Sequence, residues 1–276
     1  MHTLQSLLLC NSHHSPDLNW DKLVIAADLP AVKSHFCNSF NTARLLAVSA
    51  PHSGDWLHAL SLATCSLKLD NKAIRIAIGL RLGVNLCDPR QCPCGKLVDA
   101  RGTHGPSCRC GAARTIRHLQ LNDIISRALV RANIPSVLEP TGLSRSDGKR
   151  SDGMTLIPWQ GGKNVIWDVT VTDTIADFYL HLSTACAGSA AEGAASRKEM
   201  KYTALDYSYT FIPLAFETYR PINNKGIKFV QELGRRLRTI SDDPRELVYL
   251  QRICITLQHF NAITFSDTFT LASETE

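Results

Sequence analysis

A chain of 276 residues with 44% apolar composition can bury a sizeable core, as one large or two small domains. It has no apolar run long enough to cross a membrane, and the patch at Leu7, Leu8, Leu9 and Cys10 is too short for a signal peptide and lacks a basic start, so a nuclear or cytoplasmic protein is expected. The net charge of +5 excludes little, but eleven Lys or Arg fall between Arg90 and Arg150 against four acids, which suggests a phosphate-bearing partner, with a solvated basic loop as the plainer alternative.

Residues 1–40 carry no clear period and read as a tail. Helical patterns follow over Asn41 to Ala47 and Asn71 to Leu82, the second ending at Gly83, and together they suggest a helical subdomain over residues 41–86. Residues 87–112 then concentrate Cys87, Cys92, Cys94, His104, Cys108 and Cys110. A reducing compartment keeps thiols free, so a cluster of this kind reads as metal ligands rather than disulfides. Two tight knuckles, Cys92 with Cys94 and His104 with Cys108, supply four donors for a tetrahedral structural Zn2+, leaving Cys87 and Cys110 as spare candidates. Cys10, Cys37, Cys65, Cys186 and Cys254 are scattered and read as small buried hydrophobes.

Arg114 to Ala132 has a helical stripe, with His118 and Asn122 four apart and therefore on one face. A short strand is expected at Ser136 to Glu139. Two strand-like runs then flank a Gln-Gly-Gly-Lys turn between Arg150 and Thr172, and each carries an acid, Asp152 and Asp168. A hairpin would bring the two carboxylates together. Asp168 interrupts the apolar run Val165, Ile166, Trp167, Val169 and Val171, and a buried carboxylate needs a partner or a metal; a turn aspartate beside a salt-bridged one is the plain reading of the same pair. Beyond it, a small-residue segment leads into a helix reaching about Leu205, whose stripe of Ala191 and Ala194 also contains Lys198 and Lys201. Two lysines there either snorkel past a core edge or point at a phosphate beside the acids. A strand at Phe211 to Phe216 and helices over Asn223 to Arg238 and Asp243 to Asn261 complete an α/β (α+β) reading, with one domain over residues 113–265.

In this order the motifs resemble the restriction-like endonuclease domain, a PD-(D/E)xK nuclease, that follows the reverse transcriptase in site-specific non-LTR retrotransposons. The likeness spans about Cys92 to Tyr202. It rests on the Cys-x-Cys, His, Cys knuckle, on Arg117, His118 and Asn122, on Arg150 and Asp152 of an Arg-x-Asp, on Asp168 in Asp-Val-Thr-Val, and on the Lys201-Tyr202 pair. Two positions depart from the pattern: Ser151 stands where the family has proline, and Thr170 where the general nuclease motif has lysine. The resemblance implies a restriction-endonuclease-like core and Mg2+-dependent cleavage of DNA, with Asp152 and Asp168 as metal ligands. Lys201, or second Lys198, would supply the missing positive charge, with His118 also in the catalytic set. Arg117, Asn122 and Arg150 would contact DNA. No aromatic-Ala-Asp-Asp polymerase signature is present, so the expectation is a detached piece whose parent reading frame encodes a reverse transcriptase. A catalytically inactive DNA-binding remnant is the alternative.

Overall fold

The structure, a computed structural model, describes residues 38–59, 68–108, 113–141, 150–203, 208–242 and 248–269. Nearly all of the expected tail, together with Cys110 and the start expected for the last helix, lies outside them. Two helices open the described chain, α1 (Ser39–Val48) and α2 (Asn71–Leu82). Their ends follow local chemistry. Asn38 accepts from the N–H groups of Phe40 and Asn41, Asp70 accepts from Ala73 N, and Gly83 closes α2 at φ 69° in the left-handed region that glycine adopts without strain. A two-stranded ribbon follows, β1 (Arg90–Gln91) antiparallel to β2 (Leu97–Val98), and then the long helix α3 (Ala113–Arg131).

The central sheet has the order β3 (Ser136–Leu138), β4 (Gly153–Thr155), β5 (Asn164–Thr172), β6 (Tyr209–Glu217). The first two pairings are antiparallel and the last is parallel. Parallel neighbours need a crossover, and α4 (Asp177–Ser183) with α5 (Ser189–Tyr202) supplies it. The seven residues of α4 are too few to show a helical stripe in the sequence. The expected hairpin between β4 and β5 forms: Gly161 and Gly162 both have positive φ, 60° and 74°, the primed turn geometry that matches strand twist.

Both faces of β5 are covered. Val165, Trp167 and Val169 join Leu121, Ile125 and Leu129 of α3, Leu214 of β6, and Val230 and Leu233 of α6 (Asn224–Ser241) in the main core. Ile166 packs with Tyr202 and Phe211 on the opposite face, where Ala191, Ala194 and Ala195 of α5 meet Ala215. The last helix, α7 (Val248–Ser266), shares its residues between two cores: Ile253 and Leu257 enter the main one, whereas Cys254, Ile255, Ala262 and Phe265 pack with α1 and α2. The helices expected as a separate subdomain over 41–86 therefore share their core with the C-terminal helix. The architecture is a mixed α+β fold.

Candidate active site

The site gathers where β4 and β5 part. Extending their register by one residue sets Asp152 opposite Asp168. Like charges so placed repel, and each carboxylate has its own partners. Asp152 Oδ2 accepts from Val169 N at 2.6 Å, satisfying a β5 N–H that the short strand β4 leaves unpaired. The same oxygen lies 2.9 Å from His118 Nε2 on α3. Asp168 is buried, 4% exposed; Lys198 Nζ of α5 donates to its Oδ1 at 2.7 Å and Tyr202 Oη to its Oδ2 at 3.0 Å.

The electrostatics follow from these placements. Burial, reinforced by the charge of Asp152, raises the Asp168 pKa, while Lys198 and Tyr202 oppose the rise. The hydrogen bond to Asp152 raises the His118 pKa against the opposite pull of burial. A second set of contacts fixes the histidine. Trp167 Nε1 donates to Asn122 Oδ1 at 3.1 Å, and Asn122 Nδ2 lies 3.4 Å from His118 Nε2 and 3.5 Å from Nδ1. Trp167 can cross β4 to reach Asn122 only because residue 153 is glycine; a Cβ there would collide with the indole ring.

The residues singled out in sequence separate into those that meet and those that do not. Asp152, Asp168, Lys198 and His118 meet. Lys201 is exposed and has no ion pair among the described residues, whereas Lys198 pairs with Asp168. Its assignment ahead of Lys198 is corrected by helix phase: Lys198 and Tyr202 are four apart and share the face over Asp168, whereas Lys201 is one residue, about 100°, away from Tyr202. Tyr202 is thus the member of the Lys-Tyr pair that reaches Asp168. Asn122 is buried and orients His118, so it is not placed to contact DNA. Arg117 is also buried, 3% exposed, donates to Asn261 Oδ1 of α7 at 3.2 Å, and has its pKa lowered to about 10, chiefly by burial. Arg150 remains exposed at the site's edge, its carbonyl 3.5 Å from Tyr202 Oη. Thr170 is partly buried, and Ser151 is buried with its hydroxyl lacking a hydrogen-bond partner among the described residues.

Cys92, Cys94, His104 and Cys108 form a separate cluster whose donor atoms all lie within 4.8 Å of one another. Gly95, at φ 82°, turns the chain so that Cys92 N can donate to Lys96 O and Gly95 N to Cys92 O, which presents Cys92 and Cys94 together. The Cys92 and Cys108 sulfurs are 3.6 Å apart, and Cys94 Sγ is 3.1 Å from His104 Nε2. A tetrahedral ion with metal–sulfur bonds of about 2.3 Å needs donor separations of this order, so the cluster can hold a metal such as zinc. Burial pushes the Cys92 thiol up to about 12, and a metal binding there would displace its proton. Cys87 Sγ instead faces the carbonyls of Asp99 and Ala100, outside the cluster.

No protein-family model matches this chain, and no curated protein matches it either. The site must therefore be read from its own chemistry. Two adjacent carboxylates are the hard oxygen donors that a small divalent cation takes. Asp152 Oδ1 has no hydrogen bond among the described residues, and a cation between the acids would relieve the Asp152 repulsion that adds to burial in raising the Asp168 pKa.

Proposed function

We propose that the chain is a metal-dependent DNA endonuclease with a restriction-endonuclease-like core, derived from the nuclease domain of a site-specific non-LTR retrotransposon. The observation that carries this reading is the convergence of Asp152, just before β4, with Asp168 of β5 and Lys198 of α5 on one point of a mixed sheet. A buried aspartate set beside a second, partly buried one and a lysine is costly to build for stability alone, because desolvation offsets much of the pairing energy.

Asp152 and Asp168 would hold Mg2+, which when bound acidifies and orients the attacking water and stabilises the leaving oxygen. Lys198 brings a positive charge to the edge of the same carboxylates, where the phosphate gains charge in the transition state. It takes the part of the lysine missing at Thr170. Tyr202, stacked on Phe211 with ring centroids 4.1 Å apart, fixes the Asp168 carboxylate through its hydroxyl. His118, held by Asn122, meets the scissile phosphate or passes a proton from the Asp152 side. The zinc knuckle and its basic neighbours hold the duplex through phosphates, so binding weakens steeply with salt. DNA is the partner, and a reverse transcriptase encoded by a parent element is the second.

Incubation of the zinc-loaded protein with supercoiled plasmid tests this reading. Nicking that requires Mg2+ or Mn2+ and is lost in Asp152→Asn and Asp168→Asn is the expected result. Absence of nicking with either ion would overturn it.

A further inference from the structure

A cleft of about 590 Å³ opens between the knuckle and the sheet core, beyond the acid pair. Its floor includes Thr172 and Asp173 at the end of β5, the strand that carries Asp168, and its wall includes Arg114, one helical turn before His118 on the same face of α3. The cleft is therefore reached from the acid pair along two continuous elements.

Its lining combines two chemistries. Lys96 and Arg114 are exposed cations at its mouth. Arg117 lies inside, 3% exposed, with its Nε lacking any hydrogen-bond partner among the described residues. An arginine held in that way is costly unless a ligand completes it. The apolar part consists of side chains that the fold leaves uncovered: Leu97 is 72% exposed and Phe178 is 70% exposed, with Phe178 set edge-on to Tyr179 at 4.9 Å between centroids. Asp173 and Asp177 also line the cleft. Asp173 is occupied by Thr218 Oγ1 and Ile175 N, and Asp177 is exposed in the first turn of α4.

Exposed aromatic faces interleaved with cations suit an unpaired nucleotide, whose base stacks while its phosphates meet the cations. Duplex DNA keeps its bases stacked on one another and offers nothing to Phe178. We propose that this cleft binds a single-stranded segment of DNA adjoining the cleavage site, with a base stacked on Phe178 and the phosphates on Arg114 and Lys96. The proposal rests on the nuclease reading and names which strand form that site receives.

Fluorescence anisotropy of the zinc-loaded full chain, without added Mg2+, tests it with two probes, a blunt duplex and the same duplex carrying an unpaired extension. The wild-type protein should prefer the extended probe by about tenfold, the scale of one or two base–aromatic stacks. Phe178→Ala and Phe178→Leu, at an exposed position, should each remove most of that preference while leaving the Kd for blunt duplex within about twofold. Equal wild-type affinity for the two probes would overturn the proposal and leave the nuclease reading intact. An equal loss of affinity for both probes in the variants would also overturn it, since the cleft would then belong to the duplex face. Failure to bind either probe would overturn both readings.

Discussion

Glu217 ends β6 with its side chain fully buried, and its Oε1 accepts the Ala191 N–H at 3.2 Å. It thereby caps α5 from another element, since the helix's own N-cap is Gly188, which has no side chain to offer. Burial raises its pKa above the usual glutamate range. A raised folded-state pKa means that the folded protein binds the proton more tightly than the unfolded chain, so this contribution to stability is fully present below about pH 4.3 and is lost as pH rises through the folded value. Glu217→Gln keeps an acceptor for Ala191 and cannot ionise. Its urea midpoint should equal or exceed that of wild type at pH 7, and the difference should shrink towards pH 4. A variant less stable than wild type at pH 7 but matching it at pH 4 would contradict this. The same scale explains why Lys198 was harder to single out than the acids. Asp168 stands out because one charge interrupts an apolar run, whereas the choice between Lys198 and Lys201 depends on the phase of α5 over β5, which the sequence leaves open. The Tyr202 side chain, buried four residues beyond Lys198, sets that phase. The fate of Arg117 was equally hidden, because Asn261, its partner, lies 144 residues away.

At the scale of elements, the knuckle was the most legible part, since zinc donors come from a few residue types at short spacing. One zinc per chain is expected by elemental analysis. Cys94→Ser should release it, and Cys186→Ser, at a position that is exposed rather than buried as the sequence suggests and far in sequence from the cluster, should retain it. Zinc retained by Cys94→Ser would remove that residue from the ligand set. The β4–β5 hairpin was legible from its glycine turn, but the reason for the glycine in Ser151-Asp152-Gly153 was not. It lies in the passage of Trp167 over residue 153 towards Asn122. Gly153→Ala should lower stability by about 1–3 kcal/mol, the usual cost of overpacking. It should also reduce cleavage by loosening the Asn122 hold on His118. Unchanged urea midpoints would mean that the indole has room to move aside.

Across the whole molecule, α7 joins what the sequence divides. Its Phe265 packs with the N-terminal helices and lies against Gly102 and Gly105 of the knuckle, while its Ile253 and Leu257 enter the sheet core. Arg90 of the knuckle stacks over Phe269, 3.3 Å from the ring centroid. A helix some 150 residues from the knuckle leaves no pairing signal in composition or periodicity, so the boundaries expected at residues 86 and 112 miss this shared packing. The consequence for function is that the acid pair, the lysine and the knuckle are carried by interlocked elements, and damage to one should be separable from damage to another only at exposed or site-facing positions. Among these, Lys198 and Lys201 are neighbours on one helix with opposite expected roles. Single-turnover nicking of supercoiled plasmid at saturating protein and Mg2+ separates them. Lys198→Ala should cut slower by a factor of about 10² to 10⁴, the range for losing a charge-stabilising or proton-transferring group, while Lys201→Ala stays within about threefold of wild type. A normal rate in Lys198→Ala, or the large loss in Lys201→Ala instead, would contradict the site.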